Sequence, residues 1–363
     1  MNEKINKLPP SRRKEIEYAE SYSESKRMLD KVAKSISTKV SYGKACRLLG
    51  GFTKKTPTEI VAEYKADARG SLYECFDKWE RIFDDFAIFL EKNFGSATAH
   101  LYHSGAKALI NCNVPRSARL QARSPEVHSR EITPVNFEDL KKIYGMANVR
   151  DRAIIAFFKD SGISAREVVG LNIGDLEGFG KNETWIRIAV YREKEHVNYE
   201  TFLGPNTVKA LRAYVEVRKR KGEKVTDNSP VFITENKPFR RLDLHALRAN
   251  LQQISKKTGI VVSTHRLRKF FETYMAIGKV HPIVLKYWMG HKIKSGRDVE
   301  ARYIIPPTPE QIKMYKEAYR NIDLARADTA EREAAIAAIP EAVRKELKRL
   351  GVTMMRKGEK KDG

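Results

Sequence analysis

A mainly helical α+β protein in two domains is the fold class this chain of 363 residues predicts. Three observations carry it. Helical spacing of apolar residues runs through about 21–112 without a strand signal. A single switch to β-rich runs follows near 185–203, and helical patterning returns from 243 onward. At roughly 150 residues per domain the length asks for two cores and leaves a tail. Hydrophobic residues at 41% and aromatics at 9% suffice to fill both cores, which excludes a chain disordered throughout.

Residues 1–20 are polar, with Pro9-Pro10 followed by Ser11-Arg12-Arg13-Lys14, and read as a flexible basic arm. In 21–112, Tyr42, Ala45 and Leu49 recur at helix spacing, as do Tyr73, Phe76, Trp79, Phe83, Phe86 and Leu90. This predicts an all-helical domain with Trp79 and the Phe/Tyr set as its core. Residues 113–134 hold three prolines and four arginines with no sustained period, the pattern of a basic linker.

The second domain is expected over 135–325. Asn136 can cap a helix running to Tyr144, with Asp139 in its first turn. An apolar helix over Ala153–Phe158 comes next, and a third begins near Ser164. Trp185–Val190 and Tyr199–Leu203 read as strands flanking the charged turn Arg192-Glu193-Lys194-Glu195-His196, and Val231–Thr234 as a third short strand. Together they make a small antiparallel sheet on a helical body. Helices resume at Asp243–Lys257. The tail, 326–363, predicts an Ala-rich helix over Asp328–Ile339, a break at Pro340, an amphipathic turn or two over Glu341–Leu350 and a frayed basic end.

Lys plus Arg number 69 against 46 Asp plus Glu, a formal charge of +23 with a pI near 9.8. Such an excess calls for an anionic partner, nucleic acid first and a membrane surface second. No apolar run approaches the roughly 18 residues of a spanning helix. The first ten residues have no apolar signal core, so a cytoplasmic, nucleoid-associated protein is expected. Cys46, Cys75 and Cys112 suit neither a disulfide framework nor a Cys-x-x-Cys clip and read as reduced thiols. His196 and His281 have no partners at metal spacing and read as surface residues. No cofactor or metal is expected.

The chemistry-bearing stretch is Thr264-His265-Arg266-Leu267-Arg268, then Trp288-Met289-Gly290-His291, then Tyr303. Phe270, Phe271, Tyr274 and Met275 carry the first cluster on a helix, which sets His265 and Arg268 on one face. A second helix over Pro282–Trp288 ends near Gly290, a residue favoured at helix C-termini. A phosphodiester in flight carries negative charge that an Arg fork matches. A tyrosine hydroxyl attacks phosphorus once a base takes its proton, and the phosphotyrosyl bond stores the energy of the broken strand.

His265-x-x-Arg268, Gly290-His291 and Tyr303 resemble the C-terminal signature of the tyrosine recombinase, or phage integrase, family. Gly162-Ile163-x-x-x-Glu167-x-x-x-Leu171-x-x-x-Asp175 resembles its first arginine box. Lys194 stands in a predicted β-turn where the family keeps its lysine, and Ser37-Thr38-x-x-x-Tyr42 lies in helices resembling its core-binding, DNA-clamping domain. The resemblance covers about 21–320 and is most specific over 265–303. It implies that Tyr303 is the nucleophile and forms a 3′-phosphotyrosyl link. It also implies that Arg268 and Arg166 stabilise the phosphorane and Lys194 protonates the leaving 5′ oxygen. His265 would exchange the tyrosine's proton and His291 would donate to phosphate. Double-stranded DNA with specific sites and a homotetramer across two of them are the implied partners. The box departs at Ser164, where the family places its first arginine. Arg166 is two positions on, and two positions turn a helical side chain by about 200°. The departure resembles archaeal and mobile-element members.

Plainer readings stand beside these. Tyr303 could be a packing tyrosine, Lys194 a solvated hairpin tip, Arg166 an ion-pair partner of Glu167 or Asp160, and His291 a cap after the helix-ending glycine. Trp288 reads as core. The stripe Leu347, Leu350 and Val352 could pack on its own domain or on a neighbouring protomer. For the whole chain, the alternatives to a recombinase are a DNA-binding protein on the same fold without strand transfer, and a type IB topoisomerase.

Overall fold

The computed structural model describes residues 5–6, 8–128, 133–181, 183–293 and 305–325. Its contacts divide the chain into two units, Met1–Arg130 and Glu131–Gly363.

The described part of the first unit is helical, with α1 (Pro10–Glu20), α2 (Ser23–Val32), α3 (Ile36–Thr53), α4 (Pro57–Gly70), α5 (Leu72–Asn93) and α6 (Ser96–Asn111). The starts are written locally. Ser35 caps α3, Thr56 and Glu59 form a reciprocal capping box ahead of Pro57 on α4, and Ser71 caps α5. On α5 the buried stripe is Cys75, Trp79, Phe83, Phe86 and Leu90, steps of three and four that keep one face inward. Tyr73 lies off that stripe and is 83% exposed, so its expected place in the core is corrected. Phe76 packs at the core's margin.

Two boundary expectations also change. Residues 10–20 are not a flexible arm. They form α1, with Ile16 and Ala19 fully buried and Glu15 gripping Arg47 of α3 through two hydrogen bonds of 2.8 and 2.7 Å. The residues expected as a linker are, over 113–128, a strap on the helical unit. Leu120 and Ala122 are buried in its core. The Asn111 side chain brackets Leu120, donating to its carbonyl at 3.0 Å and accepting from its N–H at 2.9 Å. Side chains of α4 and α6 thus supply the backbone partners that an aperiodic, proline-containing segment cannot supply itself. Arg116, Arg119 and Arg123 stay exposed along the strap.

His103 is fully buried in this unit, against Phe83 and Phe86. Its ring nitrogens lie 3.1 Å from Ser124 Oγ and 3.3 Å from the Phe83 carbonyl oxygen. Burial pushes its pKa down to about 4 from the ordinary 6.5. Because the folded value lies below the unfolded one, this group's stabilisation is complete above the unfolded pKa and is lost as pH falls toward the folded value. By pH 4 the loss is expected to be roughly 3 kcal/mol. An NMR titration of the His103 ring should show no protonation before about pH 5 while the fold persists, and an ordinary histidine curve would refute the assignment.

The second unit opens with α7 (Phe137–Met146), α8 (Val149–Ser161) and the short α9 (Ala165–Gly170). Asn136 and Asn148 cap the first two. A three-stranded antiparallel sheet follows in the order β1 (Leu176–Glu177), β2 (Ile186–Arg192), β3 (Val197–Leu203). Ile186 pairs with Leu203 and Arg192 with Val197, so β2 and β3 run closer to the turn than their apolar runs suggested. Then come α10 (Pro205–Arg220), α11 (Leu244–Thr258), α12 (Thr264–Ile277), α13 (Pro282–Trp288) and α14 (Thr308–Tyr319). On β2 burial alternates, whereas Tyr199–Leu203 of β3 are all buried, because α8 and α13 pack on that strand.

Val231–Thr234 is not a strand. Val231, Phe232 and Ile233 are core residues, but their backbone bonds split between the loop after α9 and the 240–242 stretch. Only isolated bridges, Asn172–Pro230 and Ile233–Arg241, form there. The expected tail helices and Tyr303 lie outside the described residues.

Candidate active site

Two glycines build the floor of the site. Gly162 ends α8 in the left-handed conformation at φ 59°, and a Cβ there would stand 2.2 Å from the Phe271 ring. A side chain is therefore excluded both by backbone conformation and by the close approach of α12. Gly290 follows α13 at φ 66°, where a Cβ would lie 2.6 Å from Tyr199. The turn is closed by His291 N–H donating to the Lys286 carbonyl at 2.9 Å and Gly290 N–H donating to that of Tyr287 at 2.8 Å. This is a helix C-terminal glycine motif. It leaves the Met289 and Gly290 carbonyls available to side chains.

Arg268 on α12 is 7% exposed. Its Nη1 donates to the Gly162 carbonyl and its Nη2 to that of Met289 at 2.6 Å. The same Nη2 is 3.0 Å from His291 Nε2. A guanidinium has no acceptor, so Nε2 carries the lone pair and the proton of the neutral ring sits on Nδ1. Although His291 is exposed as a residue, desolvation first and the guanidiniums of Arg268 and Arg192 next push its pKa down to about 4. Burial, with Arg192 second, lowers that of Arg268 to about 10, which still leaves it cationic at neutral pH.

The structure brings together Arg268 and His291 of the expected set. His265 sits three residues before Arg268, exposed on the first turn of α12. Partial desolvation and Arg268 hold its pKa below the ordinary histidine value, so the ring is neutral at pH 7. Lys194 is on the hairpin turn, its side chain 81% exposed and 3.8 Å from Glu195. Arg166 is exposed and makes no ion pair among the described residues. Neither paired reading for it holds. Glu167 receives the Ser164 N–H at 2.9 Å and faces Arg192, while Asp160 is buried against Lys159. His281 is more than an incidental surface residue, since its Nδ1 accepts from Ile283 N–H and caps α13. Trp288 is fully buried, as expected, and donates to Gln311 at 2.7 Å.

The residue that sequence reasoning passed over is Arg192, the last of β2. Its Nη1 donates to Met289 O at 3.0 Å and Gly290 O at 2.8 Å. Its Nε is 3.6 Å from Glu167 Oε1, with both side chains largely covered. Tyr199 donates to Glu167 Oε2 at 3.5 Å. The signal was present in the sequence, since Arg192 shares the charged turn with Lys194, but only strand register tells which of the two turns inward.

Among the described residues no group of three His, Cys, Asp or Glu side chains gathers at metal-binding distance, and no helix is long and apolar enough to cross a membrane. The second unit has the fold of a tyrosine recombinase catalytic domain. Residues 133–304, somewhat less than half of the chain, match the phage integrase family. The chain is 28% identical over 147 residues to the tyrosine recombinase XerC of Thermodesulfovibrio yellowstonii, a match covering 39% of this chain and 46% of that protein. To the tyrosine recombinase XerA of Saccharolobus solfataricus it is 26% identical over 169 residues, 46% of this chain and 51% of the relative. The matches thus span about half the length of these relatives. The fold is also that of the site-specific recombinase XerH in its post-cleavage complex with a palindromic difH substrate, at a TM-score of 0.50 and 14% identity over 84% of this chain and 92% of that one.

Proposed function

We propose that this chain is a site-specific DNA recombinase that cleaves and rejoins strands through a covalent 3′-phosphotyrosyl intermediate at Tyr303. The observation that carries the reading is the buried Arg268 guanidinium locked between the Gly162 and Met289 carbonyls and joined to His291. A cation fixed this firmly is already organised for a phosphorane and needs no rearrangement as charge develops. The Tyr303 oxygen bonds to phosphorus, the P–O5′ bond breaks, and the 5′ oxygen leaves as a hydroxyl. His265, neutral at pH 7, takes the tyrosine's proton, and Lys194, on the hairpin turn that follows Arg192, gives one to the 5′ oxygen. Rejoining is the same path reversed by a 5′ hydroxyl from another duplex, and exchange between two sites requires four protomers. The exposed arginines of the strap and the helical unit it binds act as the DNA clamp, holding phosphates rather than reading bases.

Ser164 in the first arginine position motivates the rival reading, a DNA-binding protein on this fold that cuts nothing. One experiment separates them. The chain is incubated with supercoiled plasmid carrying DNA sites selected by binding, EDTA is present, and the reaction is quenched with detergent. A protein-linked nick is expected, and mass spectrometry of the digest should place the phosphodiester remnant on the peptide carrying Tyr303. Tight binding with no adduct, even on a substrate nicked near its site, would leave the non-cutting reading standing. Relaxation of plasmids without any selected site would point instead to a topoisomerase.

A further inference from the structure

Resting on the recombinase reading, we infer that Arg192 supplies the second phosphate-binding guanidinium, replacing the arginine that is missing at position 164. Three observations converge on it. Ser164 cannot reach a phosphate, because it is the N-cap of α9, tied to Glu167 in a capping box. Arg166, in the first turn of that six-residue helix, points to solvent. Arg192 reaches inward from the end of β2 and bonds the same Met289 carbonyl oxygen as Arg268. The two guanidiniums therefore stand side by side at the turn that presents His291.

Their chemistry asks for an anion. Two cations are held together here, and Glu167 is the one carboxylate at ion-pair distance from either among the described residues. Like charges so placed repel unless a further negative group enters between them. A phosphodiester brings one negative charge, and its pentacoordinate transition state brings more. Arg192 is also prepared to receive it. Two carbonyl contacts and Glu167 fix Nη1 and Nε, while Nη2 makes no hydrogen bond among the described residues. A planar guanidinium held at Nη1 and Nε with Nη2 open suits a single non-bridging oxygen. Glu167 then acts as a positioning residue for the fork.

A purely structural role, clipping the Met289-Gly290 turn, makes a different forecast, and charge chemistry separates the two. Adduct formation is measured on nicked duplexes carrying the selected site. The scissile link is either an ordinary phosphodiester or a methylphosphonate, in which a methyl group replaces one non-bridging oxygen and removes the negative charge. Arg192→Ala is expected to slow adduct formation on the phosphodiester by about a hundredfold or more, and to come within about tenfold of wild type on the neutral link, where no charge needs compensation. Arg192→Gln keeps the stem and a donor but not the charge, and is expected to behave like the alanine variant should that one fold poorly. Equal losses on both links would reduce Arg192 to a clip for the turn. A charge-dependent loss in Arg166→Ala in place of Arg192→Ala would likewise overturn the assignment. If wild type itself forms no adduct, the recombinase reading fails and this inference falls with it, a result distinct from the other two.

Discussion

Arg268→Ala is expected to bind DNA within a few-fold of wild type and to form the covalent adduct at least about a thousandfold more slowly. The size follows from where the guanidinium sits. It is 7% exposed, and its hydrogen-bond partners are two carbonyl oxygens and a histidine nitrogen, so its removal halves the guanidinium charge at the turn and leaves Arg192 alone there. Binding survives because affinity is spread over many surface phosphate contacts, whereas transition-state charge is met at one place. Alanine also takes this donor from the Gly162 carbonyl and leaves the Met289 carbonyl to Arg192, so thermal melting must be followed in parallel. Arg268→Lys, which restores the charge as a point but not as a fork, should recover only part of the rate. An alanine variant that cleaves within tenfold of wild type would remove Arg268 from the mechanism.

Asp160→Ala should be the most destabilising single substitution considered, by about 3–5 kcal/mol. Asp160 and its neighbour Lys159 form an ion pair at 0% side-chain exposure. The carboxylate also accepts from Gly204 N–H at 3.1 Å, Thr207 Oγ1 at 2.5 Å and Tyr319 Oη at 3.3 Å, and Lys159 Nζ donates to the Ile322 carbonyl at 2.8 Å. Deleting the carboxylate takes the Asp160 charge away from a buried ammonium and an acceptor away from three donors. The network also ties α14 and the residues after it to α8. The segment that begins five residues beyond Tyr303 is therefore anchored through this pair. Asp160→Asn keeps an acceptor and should lose less. Urea unfolding of the full chain measures both, and a loss below about 1 kcal/mol for the alanine variant would show that water or another group replaces the carboxylate.

Much of the fold was legible because its signals are local. The helix start at Asn136 is written in short-range chemistry, as are those at Ser35, Thr56 and Ser71 that the structure adds, and the stripe on α5 shows the inward face directly. The β2–β3 hairpin announced itself through two apolar runs about a charged turn. Tyr73 misled because an aromatic next to a stripe looks like part of it until the helix's angular position is known. Val231–Ile233 misled for a related reason: three buried apolar residues in a row make a strand only if one partner strand lies alongside, and here the partners are two loops. The arm and the linker misled because proline and arginine content reports the absence of regular structure, while the bracket that Asn111 places on Leu120 comes from another element.

By itself, the sequence determined the helical class, the small sheet, the basic character and the likeness of residues 133–304 to the phage integrase family, along with the placement of His265 and Arg268 on one helix and of His291 after a helix-ending glycine. These depend on residue type and on spacing within a turn or two. Tertiary structure alone decided which basic residues meet. Arg166, Arg192 and Lys194 look alike as sequence, each a long cation near an element end. Strand register and the left-handed turn at Gly290 carry Arg192 to the carbonyls beside Arg268, and leave Arg166 and Lys194 in solvent. The physical reason is that a charged side chain's neighbours are set by packing between distant segments, which a pattern confined to neighbouring residues does not encode.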